Sequence, residues 1–394
     1  MKSAPLAIIW ATGIAIFSMF FGSGNVVFPL QLGQDAGSMV GFAVGGLLLT
    51  AIGAPLLGLL GAVLFEGDCK KFFYRMGALP GYLAVLLIIG LIGPFGVMPR
   101  CFVVAYGAVS PYFPDLSLMV FSLIAGFITL IFVLNHKLIL PILGYVLSPL
   151  LVLSLIVIIV VGLMTDGQML VSDLTAQSAF AKGIMTGYDT MDLLASIFFA
   201  VSIWLMLKDQ LKLKSTTEIK TQLIPTYLYS SLIGGILLGL MYIGLCLVTA
   251  KHAQALQGIE PQELLSHLAI KLLGTKLSIV ANFAVAIACL TTIMALAVTT
   301  ADVIHVEMED TRLASKINYR YSWMVCLIVV IAVILSNLGF MKIMMLLHTV
   351  MVVCYPAIIV LTLCNILYKL YNFPYVKIPV YTTFLLTFAY NLLN

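Results

Sequence analysis

Apolar residues run through this chain in long blocks, and short polar stretches separate one block from the next. A helix needs roughly 20 apolar residues to cross the hydrocarbon layer of a membrane. The pattern therefore predicts an all-helical integral membrane protein with one transmembrane domain over residues 1–394. The predicted spans, about eleven in number, lie at residues 6–30, 37–64, 80–108, 117–135, 138–164, 182–207, 222–250, 277–304, 321–338, 340–368 and 376–393.

Four of the predicted spans contain clusters of glycine, proline or polar residues. Such clusters are unexpected in a lipid-facing helix, which keeps its backbone hydrogen bonds intact. Backbone groups without partners in lipid cost several kcal/mol each, so such stretches are expected to face a cavity or the protein interior. They are "FFGSGNVVFP" (residues 20–29) in span 1, "GPFGVMPR" (93–100) in span 3, "GYDTMD" (187–192) in span 6 and "CLTTIMALAVTTAD" (289–302) in span 8.

Spans 1 and 6, the two predicted to be interrupted, lie five helices apart. If spans 1–5 and 6–10 form two repeats, the odd number of spans in each gives the repeats opposite orientations. The predicted repeats cover about 6–164 and 182–368, with an additional helix at about 376–393. Interrupted segments in matching positions of two halves indicate the binding site of a transporter. The halves show no residue-by-residue similarity, so the repeat is inferred from topology and the positions of the interruptions.

The composition agrees with a membrane protein, because 62% of the residues are hydrophobic and 9% are charged, whereas soluble proteins carry about 25% charged residues. Lysine and arginine are enriched in cytoplasmic loops, and a cytoplasmic N-terminus places most of them inside. We predict a multi-pass protein of the cell membrane, of bacterial inner-membrane type, in that orientation. The basic residues predicted to lie inside, 14 of the 20, are Lys2, Lys70, Lys71, Arg75, Lys137, Lys208, Lys212, Lys214, Lys220, Arg312, Lys316, Arg320, Lys369 and Lys377.

The seven cysteines form no CxxC pair and no cluster with histidine that would indicate a metal or redox centre. We expect no cofactor beyond a coupling ion. The expected surroundings of the chain are a lipid bilayer, and no nucleic-acid partner is expected. The sequence carries no signal for the oligomeric state.

The interruption in span 1 offers both kinds of backbone group to a ligand. Gly22 and Gly24 can expose backbone without a Cβ in the way. The second half of the span is predicted to start near Asn25, with free N–H groups and a positive dipole end that suits a carboxylate. The first half is predicted to end with free carbonyls around Ser18 to Phe21, which suit a metal cation or an ammonium group.

Span 6 is predicted to contain the second interruption, which complements the one in span 1. Gly187 and Tyr188 are expected to end one half-helix, with Thr190 as N-cap of the next and Asp192 in its first turn. Asp192 either stabilises the helix start or contacts substrate or cation. Tyr188 and Asp189 also resemble half of an intramembrane aspartyl protease site, but the chain has no GxGD tetrapeptide to supply the second aspartate.

Span 8 carries two hydroxyl pairs, Thr291 with Thr292 and Thr299 with Thr300. Hydroxyl and carbonyl oxygens are the hard ligands that alkali cations prefer. Threonine in membrane helices also bonds back to carbonyls of its own helix, and the residues alone leave both interpretations open.

Two further polar residues lie within apolar spans. Arg100 is the only basic residue well inside a span, which favours a function: an outer-gate partner for a carboxylate, a wall of a polar vestibule, or a side chain that extends to the outer interface. His348 in span 10 is either a packing residue or a proton carrier.

Taken together, "FFGSGNVVFP", "GPFGVMPR", "GYDTMD" and "ACLTT" resemble motifs of the branched-chain amino acid:cation symporter family of the BrnQ type. This family belongs to the amino acid–polyamine–organocation superfamily, which shares the LeuT-like fold with its 5+5 inverted repeat. The resemblance runs from about Phe17 to the middle of span 10. It implies uptake of leucine, isoleucine and valine driven by Na⁺, or by H⁺ in some members, and no enzymatic activity.

The resemblance also implies roles for individual residues. The amides of the span 1 turn would contact the substrate carboxylate, and Asn25 would help to hold cation and carboxylate. The implied substrate-binding residues are Gly22, Ser23, Gly24, Asn25, Phe95, Met98, Gly187, Tyr188 and Thr190, with Phe95 and Met98 as apolar walls. The implied Na⁺ ligands are Ser18, Phe21, Ala288, Thr291 and Thr292, the first two through backbone carbonyls.

The chain departs from the family pattern at three points. Leu30 stands where the family usually has a second proline, and Gly96 stands where an aromatic residue is more common. Relatives usually have twelve spans, whereas eleven are predicted here, which implies a shortened member or an absent last helix. The alternatives are a symporter for another apolar amino acid such as methionine, an H⁺-driven symporter, or a membrane-embedded enzyme, against which stands the lack of a paired catalytic constellation.

Overall fold

Every regular element of the protein is helical in the part of the chain that the computed structural model describes, residues 6–134, 140–211, 219–309 and 321–393. Long apolar runs form helices here because a helix satisfies all backbone hydrogen bonds within one segment. The helices are α1 (Leu6–Phe20), α2 (Ser23–Ala36), α3 (Val40–Leu48), α4 (Ala54–Leu64), α5 (Cys69–Phe73), α6 (Ala78–Ile92), α7 (Val97–Val109), α8 (Leu118–Leu134), α9 (Leu140–Met164), α10 (Ala176–Asp189), α11 (Asp192–Gln210), α12 (Ile224–Lys251), α13 (Leu264–Glu309), α14 (Tyr321–Ser336), α15 (Phe340–Tyr371) and α16 (Lys377–Leu393).

Several helical stretches are long and apolar enough to cross a membrane, which confirms the class predicted from the pattern. Five such stretches occur within the described ranges, and the bent pair α10 and α11 makes a sixth if it is counted as one span. Four further apolar helices are shorter. The number of about eleven spans therefore stays a prediction. Of the basic residues predicted to lie inside, Lys2, Lys137, Lys212, Lys214, Arg312, Lys316 and Arg320 lie outside the described residues.

The two predicted interruptions are present. Phe21 and Gly22 separate α1 from α2. Thr190 and Met191 separate α10 from α11, which are bent by 42° relative to each other. Met191 has a left-handed backbone with φ of 63°, which is uncommon for a residue with a side chain.

A third interruption, not predicted from the sequence, separates α6 from α7 in span 3. The turn spans residues 93–96 and contains two glycines that cannot be replaced without a clash. A Cβ at Gly93 would lie 2.6 Å from the Ile89 carbonyl oxygen, and one at Gly96 would lie 2.2 Å from that of Leu91. The sequence marks "GPFGVMPR" as unusual for a membrane span, but the motif alone does not indicate a break.

Small residues bring the helices that surround these breaks close together. A Cβ at Gly183 of α10 would lie 1.9 Å from the Ala43 carbonyl oxygen of α3. A Cβ at Gly33 of α2 would lie 2.2 Å from the Cys246 carbonyl oxygen of α12. Such backbone approaches are typical of membrane helix packing. The break residues Phe21, Thr190 and Met191 are at most 4% exposed, so the broken segments lie inside the protein.

Candidate functional site

The breaks in spans 1 and 6 meet at a buried cluster of three polar side chains. Asn25 of α2 donates a hydrogen bond from Nδ2 to Asp192 Oδ2 of α11, at 2.7 Å. Tyr242 of α12 donates to the same oxygen at 3.0 Å and also accepts a hydrogen bond from the Asn25 amide. Each of the three side chains is at most 4% exposed. The cluster therefore ties the two breaks to each other and to span 7.

The local structure of the span 1 break fixes the direction of Asn25. The Gly22 N–H donates to the Phe20 carbonyl at 2.8 Å and to Asn25 Oδ1 at 3.2 Å. Because Oδ1 accepts from the turn, Nδ2 points away from it and reaches Asp192. The second half-helix begins at Ser23, two residues before the predicted start, so Ser23 and Gly24 belong to the first turn of α2.

The break in span 6 also lies later than the sequence suggested. Helix α10 continues through Gly187 and Tyr188 to Asp189, and the N-cap of α11 is Met191 rather than Thr190. Thr190 still contributes, because its hydroxyl donates to the Gly187 carbonyl at 2.9 Å and accepts from the Asp192 N–H at 3.4 Å. Asp192 lies in the first turn of α11 as predicted, where the helix dipole favours its negative charge.

The glycine of "GYDTMD" serves helix packing. A Cβ at Gly187 would lie 1.9 Å from Thr50 Oγ1, and Thr50 donates to the Ile184 carbonyl at 3.0 Å. The ring of the neighbouring Tyr188 packs against that of Tyr355, with 4.6 Å between the ring centres and a tilt of 32° between the planes. Tyr188 also lines an apolar cleft of about 700 Å³ with residues that include Leu49, Leu228 and Leu232.

Span 8 lies next to the span 1 break, as the predicted cation site requires. A Cβ built at Gly22 would lie 3.8 Å from Thr292 Oγ1. The hydroxyls of Thr291 and Thr292 both donate to the Ala288 carbonyl, at 2.8 and 3.0 Å. These back-bonds use the hydroxyl protons and leave lone pairs on the two oxygens. The geometry is thus compatible with either interpretation of the threonines.

The carbonyl side of the predicted cation site is less regular than an intact helix. The Phe21 N–H donates to the Phe17 carbonyl at 2.9 Å, and the Gly22 N–H donates to Phe20. The Ser18 carbonyl therefore does not receive the N–H group four residues later. Among the described residues, no group of three or more His, Cys, Asp and Glu side chains could hold a metal.

The two predicted apolar walls of span 3 are separated by the turn between α6 and α7. Met98 is fully buried, whereas Phe95 is 56% exposed and lies over Gly90. Of this pair, the structure brings only Met98 into the protein interior. Whether either residue contacts substrate stays a prediction.

Arg100 turns into the protein, which contradicts the alternative of a side chain extended to the outer interface. It is 1% exposed. Its Nη1 donates to the Asp189 carbonyl at 2.8 Å and lies 3.8 Å from the Met344 sulfur. The guanidinium carbon is 5.0 Å from the centre of the Phe28 ring. Arg100 therefore touches the second half of span 1, the end of α10 and span 10.

Sequence reasoning missed two partners of the breaks, Tyr242 and Tyr355, and the pairing of His348 with Asp189. Tyr242 stands in an ordinary apolar run, and no local motif marks it. Span 10 holds both sides of the span 6 break: His348 Nδ1 lies 3.0 Å from Asp189 Oδ1, and Tyr355 accepts from the Leu193 N–H at 3.3 Å. His348 is thus paired rather than only packed. The one available signal was that a tyrosine in a buried span needs a partner for its hydroxyl.

The whole chain matches one protein family. A family model described as branched-chain amino acid transport protein matches residues 7–393. The chain belongs to this family. The resemblance drawn from the four motifs is thereby confirmed, and the protein is a transporter rather than an enzyme.

Curated members of the branched-chain amino acid transport family cover nearly the same length. The branched-chain amino acid permease BraB of Bacillus subtilis (strain 168) is 29% identical over 379 residues, which are 94% of this chain and 82% of the permease. The permease BrnQ of the same strain is 28% identical over 385 residues, 94% of this chain and 83% of that protein.

The fold is shared with a solved transporter. The crystal structure of the Eremococcus coleocola manganese transporter, in complex with an aromatic bis-isothiourea substituted compound, matches with a TM-score of 0.52 and 14% identity. The match covers 100% of this chain and 88% of the manganese transporter. At this identity the likeness concerns the fold alone.

Proposed function

We propose that this member of the branched-chain amino acid transport family imports leucine, isoleucine and valine by cation symport, with Na⁺ as the coupling ion. The observation that carries the proposal is the meeting of two helix breaks at the buried cluster of Asn25, Asp192 and Tyr242. Such breaks expose the backbone groups that recognise the charged ends of an amino acid. The proposal includes a LeuT-like arrangement of two inverted repeats in the cell membrane.

The proposed cycle couples the two ligands through the span 1 break. Na⁺ binds between spans 1 and 8, to carbonyls of Ser18 and Phe21 and to oxygens of Ala288, Thr291 and Thr292. This binding orders the break, and the amino acid then docks with its charged groups on the broken helices and its aliphatic side chain against apolar walls. Each ligand stabilises the arrangement that the other needs, which is the thermodynamic basis of coupling.

Uptake into proteoliposomes tests the substrate and the coupling ion together. We expect labelled leucine to accumulate with an inward Na⁺ gradient and to be displaced by unlabelled isoleucine and valine. Replacement of external Na⁺ by K⁺ at fixed pH should abolish accumulation. Equal uptake in K⁺ would refute Na⁺ coupling, and stronger displacement by methionine than by isoleucine or valine would refute the substrate class.

The same assay tests the span 8 residues. The double variant Thr291→Ala with Thr292→Ala should raise the Na⁺ concentration needed for half-maximal uptake. Thr382→Ala is the matched control, since Thr382 is an exposed threonine whose hydroxyl bonds back to the Ile378 carbonyl at 2.8 Å. An unchanged Na⁺ dependence in the double variant would show that these threonines are not ligands.

A second candidate, H⁺ coupling, is favoured by the pair of Asp189 and His348. The carboxylate oxygen and the imidazole nitrogen are 3.0 Å apart, within hydrogen-bond distance, and the pair lies at the span 6 break. Uptake driven by an inward proton gradient in the absence of Na⁺, and lost in His348→Gln, would support this candidate over Na⁺.

A further inference from the structure

A buried guanidinium lies beside the positive end of a broken helix. A Cβ built at Gly24 would lie 2.8 Å from Arg100 Nη2, so the guanidinium is packed against the first turn of α2. The first N–H groups of a helix have no partners within it, and they carry a partial positive charge. Two positive features therefore face one place inside the protein.

No described carboxylate forms an ion pair with Arg100. The carboxylates whose charges act on it, Asp189 and Asp192, are both engaged elsewhere. Asp192 accepts hydrogen bonds from Asn25 and Tyr242, and Asp189 pairs with His348. Buried charges are normally paired, so this arrangement calls for an anion.

The hydrogen bonds of the guanidinium show which of its edges is free. The two hydrogen bonds that it makes to described residues both start at Nη1. The buried Nε has no hydrogen-bond partner among the described residues, and Nη2 is the atom that faces Gly24. The N–H groups on Nε and Nη2 point in parallel from one edge, and this fork matches the two oxygens of a carboxylate.

We propose that the free edge of Arg100, together with the first-turn amides of α2, binds the α-carboxylate of the transported amino acid. This assignment rests on the proposed function. Arg100 then selects for a free carboxylate, and Gly24 is required because a side chain there would displace Nη2. Apolar surfaces recognise the aliphatic part of the substrate, and the charged end is recognised by an ionic contact in addition to helix dipoles.

A carboxylate-free analogue tests the proposal in the wild-type protein. Leucinamide keeps the amine and the side chain of leucine but lacks the negative charge. Removing one partner of a buried, hydrogen-bonded charge pair costs about 30-fold or more in affinity. We expect leucinamide to compete for labelled leucine uptake at least about 30-fold more weakly than leucine does. Equal competition would overturn the assignment.

Variants of Arg100 provide a second test of the proposal. In Arg100→Gln, leucine binding should fall and the preference for leucine over leucinamide should disappear, as measured by the ligand-induced shift in the unfolding temperature of the purified protein. Arg100→Lys keeps the charge but loses the fork, so it should bind leucine with intermediate affinity and retain part of the preference. If Arg100→Gln does not fold, Arg100→Lys still tests the contact.

Arg75→Gln is the matched control. Arg75 lies in the segment before α6, with its guanidinium carbon 3.4 Å from the centre of the Tyr368 ring, and this change should leave the preference intact. Retained preference in both Arg100 variants would overturn the proposal. The same measurements with chloride replaced by methanesulfonate, which has no carboxylate, distinguish a substrate carboxylate from an inorganic anion. If leucine binding needs chloride in the wild type but not in Arg100→Gln, Arg100 holds chloride instead of the carboxylate, and the proposal is overturned.

Failure of the proposed function gives a different result. If the wild type binds a different amino acid, and binding needs both its carboxylate and Arg100, the proposed substrate class is wrong and the role of Arg100 in carboxylate binding is supported. If the wild type transports leucine but leucinamide competes equally, only the proposed role of Arg100 in carboxylate binding is wrong.

Discussion

Asn25 connects the two broken spans through the two ends of one amide group. Its oxygen accepts from the Gly22 N–H in the span 1 turn, and its nitrogen donates to Asp192 in span 6. Tyr242 completes the cluster from span 7. A buried carboxylate without donors is costly, so these contacts stabilise the state in which the two breaks are together.

Removal of the Tyr242 hydroxyl tests how much this cluster contributes. Tyr242→Phe takes one donor from Asp192 and leaves a gap in the hydrogen bonding of Asn25. We expect the free energy of unfolding to fall by about 1–3 kcal/mol, as measured by chemical unfolding in detergent. Tyr229→Phe is the control, because Tyr229 lies on the same helix and is 61% exposed. Equal stability of both variants would contradict a stabilising role for the cluster.

At the scale of helices, close backbone crossings hold the broken segments in place. The crossing of α3 and α10 depends on Gly183, whose missing Cβ makes room for the Ala43 carbonyl. Helix α10 carries the first half of span 6, and its position sets where that span breaks. A helix-spacing pattern identifies glycine faces but does not indicate which partner helix they meet.

Gly183→Ala should force α3 and α10 apart. Overpacking of this kind costs about 1–3 kcal/mol, and we expect a lower unfolding temperature together with reduced leucine uptake. Gly41→Ala, on α3, is the matched control because nothing lies within 4 Å of the added Cβ. That change should be neutral or stabilising, since alanine favours the helix by up to about 1 kcal/mol over glycine. Similar losses in both variants would rule out the crossing as the cause.

At the scale of the whole molecule, the fold is shared with a manganese transporter while the family is that of branched-chain amino acid transport. The likeness to the manganese transporter concerns the architecture alone, and a shared fold does not specify what this protein transports. The orientation of the molecule in the membrane is a separate question. The distribution of basic residues predicts a cytoplasmic N-terminus.

Cysteine labelling tests that orientation. In a Cys69→Ser background, Lys71→Cys is expected to react with a membrane-impermeant maleimide only after the cells are permeabilised, because the connection between α4 and α6, which contains α5, is predicted to be cytoplasmic. Lys71 is a suitable position, since its side chain is 76% exposed. Gln257→Cys, in the connection after α12, should react in intact cells. The opposite pattern would reverse the predicted topology, and the Cys69→Ser protein without an added cysteine shows the signal from the remaining cysteines.

The sequence by itself determined the class of the protein and the location of two of its breaks. Long apolar runs require helices in lipid, and glycines with polar residues inside such a run are a local property that the pattern displays. The motifs also identified the family. The span 3 break was missed because its glycines are required by contacts that a linear pattern does not contain, such as Gly93 against Thr300 of span 8.

Only the tertiary structure decided which side chains meet at the breaks. Asn25 and Asp192 were each singled out from the sequence, but their contact joins residues 167 positions apart, and Tyr242 carries no local signal. Arg100 could have extended to the membrane surface, and packing instead places it between Gly24 and the Asp189 carbonyl. The physical reason is that local patterns determine where a helix can form or break, whereas buried charges acquire their partners from helices that packing brings together.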